Sequence, residues 1–277
     1  MNDMSDLGKR SIVAVGLLGV LALMLIFGGL VQVAVFTFAG VVAVIEMYRM
    51  FRNRDIHICR APLFAVAGLQ LLIIFVELED LAPAYLFPLL YLTAFIFIVS
   101  ERIINKKRTT VDFIATLFTL VYPLLLISCF GFFGFGRTDV SRAALFIVFA
   151  GPSMADNNAY LFGSKFGKHK LCPEISPHKS VEGYIAGLIG GPLGGLLVYF
   201  MQRLWGLDIH WAWLVGLGFA GGFVGQFGDL IASTFKRWSG IKDFGNIFPG
   251  HGGVIDRIDS VMVFAPIVAL VFWYFIR

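Results

Sequence analysis

The chain reads as an all-α, polytopic integral membrane bundle of about nine transmembrane helices with its N-terminus in the cytoplasm. Three observations lead there. The 277 residues are 58% hydrophobic and only 14% charged, with a mean hydropathy of +0.83. The apolar residues fall in continuous runs long enough to cross a hydrocarbon core of roughly 30 Å as helices. Barrel strands would instead alternate over about ten residues, so helices remain as the structure that satisfies every backbone group inside the bilayer. Finally, Lys and Arg concentrate in alternate connections.

In order, the runs cover about 12–28, 30–48, 62–77, 84–100, 113–131, 143–162, 183–202, 211–235 and 257–276. The first follows Lys9-Arg10, as a cleaved signal would, but lacks a convincing small-residue cleavage site and reads as a retained helix. Alternate connections carry Lys9 and Arg10; Arg49, Arg52, Arg54 and Arg60; Arg102, Lys106, Lys107 and Arg108; Lys165, Lys168, Lys170 and Lys179; then Lys236, Arg237, Lys242 and Arg257. The opposite connections hold Arg137, Arg142, Arg203 and Arg277, and one is acidic through Glu77, Glu79 and Asp80. The C-terminus is therefore expected outside. The net charge of +4 reflects topology and attraction to anionic lipid, and no nucleic-acid module is visible. Cys59, Cys129 and Cys172 lie far apart without a CxxC pair, so neither a disulfide framework nor a zinc site is suggested.

Two regions differ in character. Residues 1–142 read as scaffold: Glu46 and Glu101 sit beside Arg49 and Arg102, where local pairing at the headgroups is expected, and Asp112 suits a helix cap. Residues 143–277 read as the catalytic region, because acids and amides now enter the helices, where ionisable groups are costly and face a cavity or a partner. Asp156, Asn157 and Asn158 lie toward the cytoplasmic end of the sixth run, and Asp229 lies at a similar depth in the eighth. Glycines crowd the seventh and eighth runs at spacings that permit close helix approach.

The densest polar stretch is Ser233-Thr234-Phe235-Lys236-Arg237, Lys242-Asp243, Pro249-Gly250-His251-Gly252-Gly253 and Asp256-Arg257-Ile258-Asp259. Asp256 and Asp259 share one face at the start of the last helix, and Asp229 on the preceding helix can oppose them. Facing carboxylates without His or Cys neighbours favour Mg²⁺, with room for a second cation. The same residues would also suit a helix cap paired with Arg257 or Lys236. The glycine turn offers backbone N–H groups and a helix N-terminus to an anion. With Lys236, Arg237, Lys242 and Arg257 it would cradle a triphosphate, while His251 suits a phosphate, a nucleotide or a structural bond within the turn.

These residues resemble the signature of the CDP-diacylglycerol synthases (phosphatidate cytidylyltransferases): S-x-x-K-R, four residues, K-D, then P-x-H-G-G-x-x-D-R-x-D. Every fixed position is filled. Upstream, Asp156-Asn157-Asn158-Ala159-Tyr160, Phe166-Gly167-Lys168 and Ser176-Pro177-His178-Lys179-Ser180-Val181-Glu182-Gly183 are similar to the family's D-T-G-A-Y, F-G-K and S-P-K-K-T-x-E-G blocks, with Asn157-Asn158 in place of Thr-Gly and His178 and Ser180 where Lys and Thr are common.

The resemblance implies transfer of CMP from CTP to phosphatidic acid, giving CDP-diacylglycerol and pyrophosphate, with Mg²⁺ required. The partners expected are CTP and phosphatidic acid in the bilayer, with no nucleic acid, and a homodimer is compatible with the reading. It places the protein in a bacterial inner membrane with its active site facing the cytoplasm. On this reading Asp229, Asp256 and Asp259 bind metal; Lys236, Arg237, Lys242 and Arg257 steady phosphates; and Asp243 fixes Lys242 or holds a second cation. Ser233, His251, Gly252, Gly253, Ser176, Lys179 and Glu182 contact substrate, while Asp156 and Asn158 line the cavity or join helices six to eight through a polar network. A CTP-dependent polyisoprenoid or phytol kinase is the competing enzyme. A transporter or silent lipid-binding protein is the competing non-enzyme.

Overall fold

The computed structural model describes residues 6–134 and 139–276; Arg137, Arg277 and the side chains of Lys9 and Arg10 lie outside what it describes. Among the described residues there are nine long helices: α1 (Asp6–Phe27), α2 (Gly29–Arg52), α3 (Arg60–Leu78), α4 (Leu86–Ile104), α5 (Thr110–Thr119, Leu120–Leu125 and Leu126–Gly134 in succession), α6 (Asp139–Phe166), α7 (Val181–Met201), α8 (Trp211–Ser239) and α9 (Ile255–Ile276). Each expected run has its helix. Six of them, α2 to α5, α7 and α8, are individually long and apolar enough to cross a membrane. In α6 the polar run Asp156-Asn157-Asn158 dilutes the apolar stretch. The antiparallel hairpin of β1 (Lys170–Cys172) and β2 (Ser176–Ser180) was not anticipated from the sequence.

The chain forms two compact units: Met1–Gly136 with Trp238–Arg257, and Arg137–Arg237 with Ile258–Arg277. In the first, α2 and α3 pack through buried Ala43, Val44, Met47, Leu63, Val66 and Ala67. By contrast α4 leaves Leu89, Leu92, Phe95 and Ile96 exposed, as a lipid-facing helix would. Pro123 lacks an N–H for the ladder of α5, and the helix widens there into a six-residue π-turn with Tyr122 outside helical geometry.

The loop between α2 and α3 is tied down. Asp112 accepts the His57 N–H at 2.6 Å, Thr116 Oγ1 accepts the Cys59 N–H at 3.0 Å, and Arg108 donates to the His57 carbonyl. Arg54 donates to the Trp238 carbonyl and lies over the Trp238 ring. The cap of α5 is a reciprocal pair: Thr109 Oγ1 accepts the Asp112 N–H while Asp112 accepts the Thr109 N–H, so Asp112 is the third helical residue and Thr109 the cap itself. Two local pairings differ from expectation. Glu101 bonds Arg108 at 2.7 Å rather than Arg102, and Glu46 reaches backbone groups more than 200 residues away.

In the second unit, α6, α7 and α8 meet through glycine. A Cβ on Gly191 would lie 2.2 Å from the Gly218 carbonyl oxygen, one on Gly195 2.1 Å from that of Leu214, and one on Gly194 2.6 Å from that of Ala150. Backbones therefore touch directly, which is the small-residue packing that van der Waals contact favours where water supplies no hydrophobic drive.

Candidate active site

In the first unit, α8 ends at Ser239 and Gly240 turns the chain at φ 74° into the loop that carries the signature. Phe248 closes a tight turn, donating its N–H to the Gly252 carbonyl at 3.0 Å and accepting the His251 N–H at 2.8 Å. Gly250 and Gly252 adopt φ of 75° and 83°, the left-handed region where a Cβ is penalised.

Two carboxylates then fix the entry to α9. Asp256 Oδ2 accepts the N–H groups of Phe244 at 2.8 Å and Gly253 at 2.9 Å. Glu46 Oε1 accepts the N–H of Val254 at 2.8 Å, and its Oε2 that of Ile255 at 2.9 Å. Three of these amides, those of Gly253, Val254 and Ile255, belong to the glycine turn and helix start expected to meet a phosphate, and here they bond protein carboxylates. Gly252 and Gly253 serve by leaving room: a Cβ on either would lie 2.7 Å from Asp256 Oδ2 or 2.2 Å from Glu46 Oε1.

Beside this turn opens a cavity of about 500 Å³ lined by Lys242, Asp243, Gly245, Asn246, Phe248, Pro249, Gly250, His251, Gly252 and Arg257. The side chains that could meet an anion there are the exposed Lys242 and Arg257, with His251 beside them. Arg suits bidentate phosphate contact and Lys acts as a point charge.

In the second unit, Asp229 on α8 pairs through Oδ2 with Lys179 Nζ at 2.5 Å and accepts the Ser233 hydroxyl through Oδ1 at 3.3 Å, one turn further along. Asp259 is buried, accepts the Ser260 N–H at 2.7 Å, and feels the negative charges of Asp229 and Asp156 and the positive charge of Lys236. Gly228 makes this neighbourhood possible, because a Cβ there would lie 2.5 Å from the Asp259 carbonyl oxygen. Asp229, Ser233 and Lys179 are thus in contact, and Asp259 lies within electrostatic reach of Asp229, Asp156 and Lys236.

Other predicted residues make contacts within the protein. Glu182 accepts the N–H groups of Lys168 and His169 and pairs with His169 Nδ1 at 2.6 Å, which holds the turn before β1. Ser176 lies in β2 opposite Cys172, and Arg237 donates to the Ile175 carbonyl at 3.2 Å, anchoring the hairpin. Asn158 donates to the Met154 carbonyl at 2.8 Å and packs on Gly190 of α7. Ser180 caps α7 by accepting the Gly183 N–H, and Gly163, Gly167 and Gly183 close around its side chain.

Sequence reasoning gave Glu46 only a local pairing beside Arg49. Its signal was an acid inside the apolar run from Val41 to Met47, and its partners lie far along the chain. Among the described residues no group of three or more His, Cys, Asp or Glu is gathered to enclose a metal ion. The donor chemistry nevertheless fits a hard divalent cation, since Asp229 and Asp259 offer oxygen only and Mg²⁺ commonly takes one or two carboxylates together with substrate phosphates.

The model of the cytidylyltransferase family matches residues 8–275. The chain belongs to that family. It is therefore a nucleotidyltransferase by class. It is 34% identical over 261 residues to the phosphatidate cytidylyltransferase of Staphylococcus aureus (strain COL), covering 94% of this chain and 96% of that one. The enzymes of the same name from Staphylococcus epidermidis (strain ATCC 12228 / FDA PCI 1200) and Staphylococcus haemolyticus (strain JCSC1435) are 34% and 31% identical, each over 94% of this cytidylyltransferase and 96% of the relative.

Proposed function

We propose that the protein transfers CMP from CTP to phosphatidic acid, releasing pyrophosphate and forming CDP-diacylglycerol. The observation that carries this reading is the cavity into which Lys242, His251 and Arg257 converge, in an apolar helical chain of the cytidylyltransferase family. A nucleotide triphosphate supplies the anion those cations suit, and a membrane lipid supplies an acceptor that reaches a membrane protein by lateral diffusion.

The chemistry asks little of a general base. The second pKa of a phosphate monoester is about 6 in phospho-amino acids, so the lipid phosphate is largely a dianion at neutral pH. The difficulty is that nucleophile and electrophile repel. Lys242 and Arg257 hold CTP phosphates, and His251 borders the same space. Lys236 and Lys179 offset charge around Asp229 and Asp259, and the lipid phosphate attacks the α-phosphorus in line without a covalent enzyme intermediate. Asp229 and Asp259 are the carboxylates proposed to hold Mg²⁺ together with substrate phosphates, with Asp243 near Lys242 available to a second cation. Bound there, the metal would neutralise phosphate charge as a Lewis acid.

We place the reaction at the cytoplasmic face of a bacterial inner membrane, with nine crossings and the N-terminus inside, supported by the distribution of Lys and Arg. Residues 143–277, with the signature, form the catalytic region of this reading, and residues 1–142 its scaffold. Purified protein given phosphatidate, Mg²⁺ and CTP labelled at the α-phosphorus should yield labelled lipid and unlabelled pyrophosphate. Label that reaches lipid only from the γ-phosphorus would make the protein a kinase.

A further inference from the structure

We infer that Glu46, on α2, is a positioning residue for nucleotide binding: its buried carboxylate clamps the backbone at Val254 and Ile255 and thereby sets the wall of the Lys242–Arg257 cavity. This rests on the proposed use of that cavity for CTP. Glu46 is 1% exposed, and both its oxygens accept backbone N–H groups, at 2.8 Å and 2.9 Å. The fit is steric as well as polar. A Cβ on Gly245 or on Gly253 would lie 2.5 Å or 2.2 Å from Glu46 Oε1, so two glycines of the loop are shaped around this one carboxylate.

The consequence for the cavity is direct. Gly245 and Gly252 line it, Gly253 follows Gly252, and Arg257 stands two residues beyond Ile255. Release of the clamp would leave two buried amides without acceptors and let the loop shift. A shift of about 1 Å in a positioned group can cost a hundredfold in rate. Asp256 holds the same turn from its other side through Phe244 and Gly253, so the loop should loosen locally and keep its general course.

The full-length protein in lipid–detergent micelles tests this. In the parent protein, the Val254 and Ile255 amides should exchange with deuterium more slowly than the rest of the loop, a measurement that needs no variant. Glu46→Gln keeps the side chain's shape but presents an NH₂ to one of the two amides. It should raise KM for CTP about tenfold, well beyond any change in KM for phosphatidate, and speed exchange at 254–255. A merely structural role would reduce the amount of folded protein and leave KM unchanged.

Gly253→Ala should raise KM for CTP in the parent, through its clash with Glu46, but add less than about twofold in a Glu46→Ala background. The inference is overturned by fast exchange at Val254 and Ile255 in the parent, by an unchanged KM in Glu46→Gln, or by equal penalties for Gly253→Ala in both backgrounds. A parent that transfers no label from CTP overturns the proposed function and the kinetic role with it. Slow exchange in that same sample would show that the failure lies in the function and not in the Glu46 contact.

Discussion

Glu46 and Asp256 of the first unit and Asp229 of the second are held in different ways. In the first, Glu46 and Asp256 are buried and accept backbone N–H groups, two apiece. In the second, half-buried Asp229 is satisfied by side chains, the Lys179 ammonium and the Ser233 hydroxyl. A backbone amide cannot leave without refolding the loop, whereas an ammonium on a flexible stem can. The first arrangement builds a rigid wall, and the second leaves a charge that can exchange partners when an anion or a cation arrives.

Substitutions should separate these roles. The largest effect is expected from Asp256→Asn, which keeps the shape but weakens the two bonds to Phe244 and Gly253. Cytidylyl transfer should fall at least about a hundredfold, and thermal unfolding should show a loss of about 2 kcal/mol. Asp229→Asn should reduce transfer about as far while leaving the melting temperature close to that of the parent. A large loss of stability there would erase the contrast between the units.

Lys179→Met comes next. It should slow transfer by about tenfold, with less than about 1 kcal/mol lost from stability because the pair is partly solvated. Unchanged kinetics would make the pair a structural tether and nothing more. Smallest of all, Glu101→Gln breaks the Arg108 bond at the end of α4. It should cost under about 1 kcal/mol and leave KM for CTP untouched, which makes it the control for Glu46→Gln.

How much of this was legible in the sequence depended on distance along the chain. The helices follow from apolar runs, because lipid leaves the backbone no other local solution, and the glycine packing of α7 and α8 follows from spacing. The cavity residues lie within one window, so Lys242, Asp243, His251, Gly252 and Arg257 could be grouped before any coordinates. The hairpin at 170–180 is too short to show alternation. The Glu46 contact spans more than 200 residues, and nothing near Glu46 names its partner except the charge of Arg49, which pointed to a local pair. The amides at the start of α9 looked available for the same reason: the acceptor that takes two of them is remote in sequence.

The backbone contact of α6, α7 and α8 has a consequence for the lipid. With Gly191 against Gly218, Gly195 against Leu214 and Gly194 against Ala150, the seams among these helices have no width for a methylene chain. Widening them at these points would mean parting main chains rather than swinging a side chain aside. An acyl chain could pass between these helices at those three points only by separating backbones.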